Sequence, residues 1–245
     1  MKLSVVVPVR GDRRALVSLL DNLQTELTRS PPVDHLVEIL IVTADARESD
    51  QLCEVDRAGI ARLGGCDSVR IFGTKPGRGL QLDAGVQAAR GEWIWMLHAD
   101  TQVPRAAIDY LLNAPPMNWG RFDVRLDIDS PGFRMIARSM NARSRLTGIC
   151  TGDQGIFVHA SLIQRVGGVA HEQLMEDIEL SRRLRRLCHP LFPPIELITS
   201  ARRWQRNGLL RTILSMWWFR LRYWAGVSPA ALAREYYPDP GSSDG

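Results

Sequence analysis

Four short apolar runs, separated by segments with helical spacing, place the strongest limit on the fold that this chain can adopt. They lie at residues 3–7, 38–42, 69–72 and 93–97. Runs of this length that are rich in valine, leucine and isoleucine are typical of strands buried on both faces of a parallel sheet. Because they alternate with helical segments, they predict a Rossmann-like α/β domain with a mostly parallel central sheet flanked by helices.

Three further segments carry secondary-structure signals. Asp12 precedes a series of leucines at helical spacing, so it is the expected N-cap of a first helix. Residues 50–63 are predicted to form another helix. Hydrophobicity alternates over residues 119–127, which predicts a further strand.

The fourth apolar run ends abruptly in a polar turn that contains His98 and Asp100. Open α/β sheets bind ligands at the carboxyl ends of their strands, which is where this turn is expected. Residues two apart in an extended segment point the same way, so both side chains can face one ligand. The alternative is an ordinary polar turn, which these residues taken alone fit equally well.

Two predicted helix starts carry charged residues. Gly77 and Gly79 flank Arg78, and free amides together with a cation favour a phosphate at such a helix entrance. Glu176 and Asp177 fall in the first turn of a later helix, where the helix dipole favours acids. For Gly77-Arg78-Gly79 the alternative is an ordinary turn before a helix. For Glu176 and Asp177 the alternative is that the acids only stabilise the helix.

Residues 209–224 form a strongly apolar segment with three tryptophans, and Arg211, Arg220 and Arg222 interrupt it. Three arginines exclude a stable membrane span. Such a segment fits an amphipathic helix that lies on a membrane, against a second subunit or on its own domain. The tail, residues 238–245, is expected to be disordered.

Charge and cysteine usage narrow the possible partners. The net charge is +4 and the pI about 9.1, which suits phosphate-bearing small molecules or an anionic membrane. No nucleic-acid-binding motif is present, so no nucleic acid is expected. Four cysteines without paired spacing argue against a zinc site or a disulfide framework, and they fit a reducing cytoplasm. The first apolar run is too short for a secretory signal.

Taken in order, these segments resemble glycosyltransferase family 2, the inverting enzymes of the GT-A fold. The resemblance covers residues 3–204. It is carried by Pro8 at the end of the first strand, the Asn-x-Gly-like Asp83-Ala84-Gly85, Gly91-Glu92, the D-x-D-like His98-Ala99-Asp100, the pair Glu176-Asp177 and the pair Arg203-Trp204.

Within that family the chain looks most like the small bacterial branch that is named for arsenosugar biosynthesis and associated with radical-SAM gene neighbourhoods. The name describes context and does not identify a substrate. The closer match lies in residues 77–81, 97–101, 119–123, 143–148, 151–154 and 174–180.

The resemblance implies a nucleoside diphosphate sugar as donor, with UDP as the expected nucleotide. Mg²⁺ or Mn²⁺ would be held by Asp100 together with His98, since a hard cation needs only one or two carboxylates beside phosphate oxygens. The residues implied for donor binding are Pro8, Val9, Arg10, Asp45, Arg78, Asp83, His98 and Ala99.

The resemblance also implies the chemistry. Asp177 would act as the general base and Glu176 would orient it or hold a sugar hydroxyl. The acceptor is an unknown small molecule or a lipid phosphate. The residues implied for the acceptor or its phosphate are Asp153, Gln154, Arg203 and Trp204.

Three departures from the family pattern keep other functions open. Thr43 stands where the family usually has an acid, His98 replaces the first acid of the D-x-D, and Asp83 replaces an asparagine. The replacement of acids by His98 and Thr43 supports an inactive nucleotide-sugar-binding protein or a membrane-surface protein of the same fold. A nucleotidyltransferase is a further alternative, but it would need a Gly-rich loop directly after the first strand, and residues 8–12 do not provide one.

The expected organisation is a GT-A domain at residues 1–205, a Trp- and Arg-rich amphipathic helical extension at 206–237 and the tail. The extension would contact a membrane or form a homodimer through residues 209–224. The expected location is the cytoplasm, including the inner face of the membrane.

Overall fold

A six-stranded sheet forms the centre of the computed structural model, which describes residues 1–45, 47, 49, 68–172 and 174–236. The four strands predicted from the apolar runs are adjacent and parallel, and two short antiparallel strands extend one edge. In spatial order the strands are β3 (Val69–Gly73), β2 (Val37–Thr43), β1 (Leu3–Val9), β4 (Trp93–Met96), β8 (Phe157–His159) and β6 (Trp119–Gly120).

A smaller three-stranded sheet lies beside the central one. It consists of β5 (Thr101–Gln102), β9 (Glu196–Thr199) and β7 (Asp123–Leu126), in that order. The prediction of one strand over residues 119–127 is therefore wrong, because β6 and β7 belong to different sheets. The backbone changes partner between them: Arg121 N donates to Leu191 O and Phe122 N to Gln154 O.

Helices cover both faces of the central sheet. Asp12 caps the first of them, as predicted, by accepting a hydrogen bond from the backbone of Ala15 at 3.1 Å. The helix predicted over residues 50–63 lies outside the described residues. The described helices are α1 (Arg13–Thr28), α2 (Arg78–Ala88), α3 (Arg105–Asn113), α4 (Pro131–Thr147), α5 (Ala160–Arg165), α6 (Glu176–Arg185), α7 (Arg202–Asn207), α8 (Leu209–Trp224) and α9 (Pro229–Tyr236).

Alternate strand residues enter two separate apolar layers. Val5 and Val7 pack in the layer that includes the α1 leucines, whereas Val6 packs with Leu82 and Val86 of α2. Every residue of β4 is buried. The interpretation as doubly buried strands is thus confirmed for β1, β2 and β4, whereas β3, at the edge of the sheet, buries only Val69.

Gly85 allows α2 to approach the sheet closely. A β-carbon at this position would lie 2.3 Å from Cγ1 of Val6, a distance that side chains do not reach. The small residue in the Asp83-Ala84-Gly85 segment therefore sets the depth of α2, and with it the position of Arg78 at the start of that helix.

Candidate active site

The candidate site is a cavity of about 230 Å³ where the turn after β4 meets α2, α6 and the C-terminal helices. Residues far apart in sequence form its wall. The polar and aromatic residues that line it include Arg78, His98, Asp100, Asp153, Glu176, Asp177, Ser200, Trp204, Phe219, Arg220 and Tyr236.

Arg78 connects the predicted donor side of the cavity with the acids of α6. Its Nε lies 3.3 Å from Oε1 of Glu176, and its Nη2 contacts Nε2 of His98. Arginine can only donate, so Nε2 of His98 must accept in this contact. Nε2 also lies 3.6 Å from Oδ1 of Asp153, an ion pair that would need a protonated imidazole. The two contacts exclude each other, and the Arg78 contact is the shorter.

Gly152 packs directly against Arg78 and His98. A β-carbon there would lie 2.1 Å from Nη2 of Arg78 and 2.6 Å from Nε2 of His98. Its backbone N–H donates to Oδ2 of Asp177 at 2.9 Å. The absence of a side chain at Gly152 thus allows its backbone to lie against the Arg78 guanidinium and the Asp177 carboxylate at the same time. Any larger residue would clash with Arg78 and His98.

Asp177 is fixed by two backbone amides. Oδ2 accepts from Gly152 N, and Oδ1 accepts from Ile178 N at 2.8 Å. Each oxygen keeps a further lone pair for a donor in the cavity. Met175, which precedes α6, has a φ of 69°, and this left-handed backbone turns the first acids of α6 into the site.

Glu176 is buried beside Arg78, with 3% of its surface exposed. Burial raises the pKa of its carboxyl to about 7, with a further increase from the charge of Asp177 and an opposing effect from Arg78. Glu176 therefore changes its charge near neutral pH, whereas an ordinary glutamate does so at much lower pH.

Asp100 and Asp153 are the acids that could hold a cation. Burial raises the pKa of Asp100, the charge of Asp153 raises it further, and Arg202 opposes both. A divalent cation would relieve this repulsion. No group of three or more potential ligands is found among the described residues, so the pair fits a hard cation that takes its other ligands from phosphate and water. While Nε2 of His98 accepts from Arg78, the neutral imidazole carries its proton on Nδ1, so neither ring nitrogen offers a lone pair to a cation in this arrangement.

Two arginines to which the sequence patterns gave no role lie close to these acids. Arg220 of α8 lines the cavity, and burial lowers its pKa while Asp177 and Asp153 raise it. Burial, followed by the charge of Arg220, lowers the pKa of Arg143 to about 10. Arg220 follows Trp217 by three residues and precedes Trp224 by four, so helical spacing alone groups it with those tryptophans and gave no signal that its side chain enters the cavity.

Some of the predicted acceptor residues reach the cavity and others do not. Trp204 lines the cavity and is 9% exposed, and Asp153 lies beside His98. Gln154 is fully buried and donates to Oγ of Ser144 at 3.0 Å, so its amide points into the interior. The side chain of Arg203 lies outside the described part of the structure.

The predicted base- and ribose-binding residues lie at the carboxyl ends of β1 and β2, where Arg10 and Asp45 are exposed, Pro8 is half-buried and Val9 is buried. Ala99, also predicted for donor binding, is half-buried in the turn after β4. None of these five lines the described cavity. Thr43 turns its hydroxyl to the backbone oxygen of Asp45, at 2.6 Å. Gln81, which the sequence did not indicate, joins the two strand ends by donating to Val9 O and Val42 O.

Asp83 binds another part of the chain. Its carboxylate accepts from the backbone of Val169 at 2.8 Å and contacts Nε2 of His171 at 2.8 Å. These contacts tie α2 to the loop before α6. In the described structure the side chain does not line the cavity.

The thiols of Cys150 and Cys188 are free, and Cys53 and Cys66 fall outside the described residues.

Within the described part of the chain, no helix combines the length and the apolar character needed to cross a bilayer.

Comparison with known proteins identifies the fold. A scan against protein-family models found no match, and a search of curated proteins found none. Among solved structures, the mannosyltransferase PcManGT from Pyrobaculum calidifontis, in complex with GDP-Man and Mn²⁺, is similar with a TM-score of 0.62 and 19% identity over 96% of this chain and 69% of that one.

Two other structures are similar over 82% of this chain. They are S. aureus TarS 1–349 with UDP (TM-score 0.58, 14% identity, 60% of that chain) and GalNAc-T7 with UDP, GalNAc and Mn²⁺ (0.58, 13%, 44%). The chain spans between 37% and 61% of the TarS chains that it matches. These likenesses confirm the predicted GT-A type of α/β fold.

Proposed function

We propose that this chain is an inverting glycosyltransferase that transfers a sugar from a nucleoside diphosphate sugar to an acceptor hydroxyl. The observation that carries the proposal is the placement of Asp177, fixed by two amides, in the wall of the same cavity as Arg78 and Asp100. Similar structures that hold UDP, UDP-GlcNAc or GDP-Man support a nucleotide sugar as donor.

The donor would lie with its diphosphate beside Arg78 and its base near the carboxyl ends of β1 and β2, with UDP as the expected nucleotide. Asp100 and Asp153 would hold Mg²⁺ or Mn²⁺, and the cation would neutralise charge on the leaving diphosphate. Arg10 and Asp45 are exposed at the adjacent strand ends and can contact base and ribose.

In the transfer step, the acceptor oxygen attacks the anomeric carbon while its proton passes to a free lone pair of Asp177. The bond to the diphosphate breaks on the opposite face, so the configuration inverts and the nucleoside diphosphate leaves. Glu176, in contact with Arg78, orients that guanidinium and holds a sugar hydroxyl.

The acceptor would enter on the side of Trp204, Phe219 and Arg220. A small molecule and a lipid phosphate both fit this wall. In this proposal the catalytic domain spans residues 1–205, and the extension at 206–237 completes the acceptor side. The closer relation to the arsenosugar-associated branch stays a prediction.

Calorimetric titration tests the donor site. UDP, GDP and TDP would be titrated with and without Mn²⁺ into the wild-type protein, Asp100→Asn and Asp177→Asn. We expect one nucleotide to bind only with metal, Asp100→Asn to lose that binding, and Asp177→Asn to keep it while losing donor turnover. Normal turnover by Asp177→Asn would exclude the assigned base.

The second candidate is a nucleotide-sugar-binding protein without transferase activity. It is favoured by the contact between Arg78 and Nε2 of His98, which occupies a potential ligand atom, and by the inward-turned hydroxyl of Thr43. Nucleotide binding without metal dependence, together with a complete absence of donor turnover, would favour this function.

A further inference from the structure

The face of α8 that points away from the cavity carries a contiguous stripe of large apolar side chains, here called the outer stripe. It consists of Leu214, Trp217, Trp218, Leu221 and Trp224, which are 55–71% exposed. Spacings of three and four residues place all five on one side of the helix. An exposed patch of three tryptophans and two leucines marks an interaction surface.

The opposite face of the same helix is already in use. Thr212 and Phe219 are buried, and together with Met216 and Arg220 they line the cavity. Because α8 already packs against the domain through this face, the outer stripe is not the surface by which the helix packs on its own domain.

The segment that carries the outer stripe has a net positive charge. Residues 202–236 contain seven arginines and one acidic residue, whereas residues 1–201 contain equal numbers of basic and acidic residues. Helical spacing places the exposed Arg211 along one edge of the stripe, beside the half-buried Arg222, which pairs with Glu235. The charge surplus of the whole protein thus lies in residues 202–236, the segment that includes α8 and its three exposed tryptophans.

We infer that the outer stripe binds the surface of an anionic bilayer, with α8 parallel to the membrane plane. Tryptophan rings are favoured at the level of lipid headgroups, and arginines beside them are attracted by anionic lipids. Immersion of an apolar face to a depth of about 5–10 Å needs no helix that spans the membrane. This inference does not depend on the proposed transferase activity.

Two other occupants fit less well. A second copy of the chain would bring the same arginine-rich surface against itself across a two-fold axis, so like charges would face each other. Residues 237–245 contain one tyrosine, two prolines and otherwise small or acidic residues, too little apolar surface to cover five large side chains.

Flotation with vesicles tests the inference on the full chain. Vesicles of phosphatidylcholine alone and of phosphatidylcholine mixed with phosphatidylglycerol would be compared at low and high salt. We expect the protein to float with the anionic vesicles at low salt and to be released as salt screens the charges.

Variants separate the two contributions. Trp217→Gln combined with Trp224→Gln should abolish flotation through the lost apolar contact. Arg211→Glu should weaken binding to anionic vesicles by more than about fivefold, because loss of one positive charge near such a surface has about that effect and the glutamate adds repulsion. Leu146→Gln and Arg138→Glu are matched controls, because both residues are exposed on a different helix, α4, and neither belongs to the stripe, so both variants should float like the wild type.

Three results would overturn the inference. One is the absence of flotation at low salt; another is equal loss of flotation in the α4 controls. The third is a dimer in sedimentation velocity that Trp217→Gln dissociates, without any vesicle binding. Thermal unfolding of each variant verifies its fold, and quenching of wild-type tryptophan fluorescence by bromine-labelled lipids tests contact with the bilayer independently of any substitution.

Discussion

At the scale of single residues, the site depends on Arg78, which contacts both His98 and the buried Glu176. The charge of Glu176 therefore affects the whole cluster. Above its pKa of about 7 the carboxylate pairs with the guanidinium, whereas below it the protonated form leaves Arg78 uncompensated on that side. Stability and activity should both change across neutral pH.

Glu176→Gln should flatten the dependence of stability on pH. The folded pKa of about 7 lies above the ordinary value of 4.5, so the folded state binds more protons and stability falls as pH rises from 4.5 through 7. The fall is on the order of 3 kcal/mol for a shift of this size. Urea unfolding of both proteins at several pH values measures it. The same slope in wild type and variant would show that Glu176 does not cause it.

Arg220→Ala should lower donor turnover by about tenfold or more while nucleotide affinity changes little. The guanidinium lies near Asp177 and Asp153, and electrostatic stabilisation of a reacting group is commonly worth this much. Arg211→Ala, an exposed arginine on the same helix, is the control. Steady-state kinetics with calorimetry would decide, and unchanged turnover would remove Arg220 from the site.

The residues that could be predicted were those whose signal is local. Glu176 and Asp177 were recognisable because acids at a helix start follow a known pattern, and the structure places both in the first turn of α6. Arg143, Arg220 and Gln81 reach the site or its edge from separate helices. Only the folded chain shows that these helices converge, so no local pattern assigned a role to these residues.

At the scale of elements, the strand runs and first helix were predictable because burial and capping leave periodic patterns. Hydrophobicity does alternate over residues 119–127, and the segment does contain strands. The alternation does not specify which other strand each part pairs with. Arg121 and Phe122 bond to Leu191 and Gln154, and the chain passes from one sheet to the other between them. Pairing between distant strands is a tertiary property that hydrophobic alternation alone does not contain.

Gly85→Ala tests the close packing of α2 on the sheet. The added methyl group would meet Val6, so we expect a loss of about 1–3 kcal/mol and a displaced Arg78. Ala84→Ser, at the neighbouring half-buried position of the same helix, should cost much less. Thermal unfolding with nucleotide titration measures both effects. A Gly85→Ala protein as stable as wild type would contradict this packing.

At the scale of the whole molecule, the C-terminal helices and the first two hundred residues share one apolar cluster. Trp204 packs with Val124, Leu126 and Met140, and Met216 of α8 contacts the same group. The predicted boundary at residue 205 therefore falls within a packed region, which helical periodicity near the boundary could not reveal.

A chain that ends at residue 207 should unfold at a lower temperature than the full protein and lose donor turnover, because it exposes that cluster and lacks Arg220. Its affinity for nucleotide and Mn²⁺ should be retained, since Arg78 and Asp100 belong to the part that remains. Calorimetry and thermal unfolding of the two chains provide the comparison. Full turnover in the shortened chain would show that the extension does not contribute to the site.

Helix α8 presents one face to the cavity and the other to the surroundings, and both faces belong to one continuous helix. Thermodynamic linkage then makes any coupling between the two faces reciprocal. If a bilayer on the outer stripe changes the affinity of the cavity for its ligands by some factor, those ligands change the affinity for the bilayer by the same factor. The fraction of protein bound to a membrane would then depend on the fraction of cavities that hold a ligand.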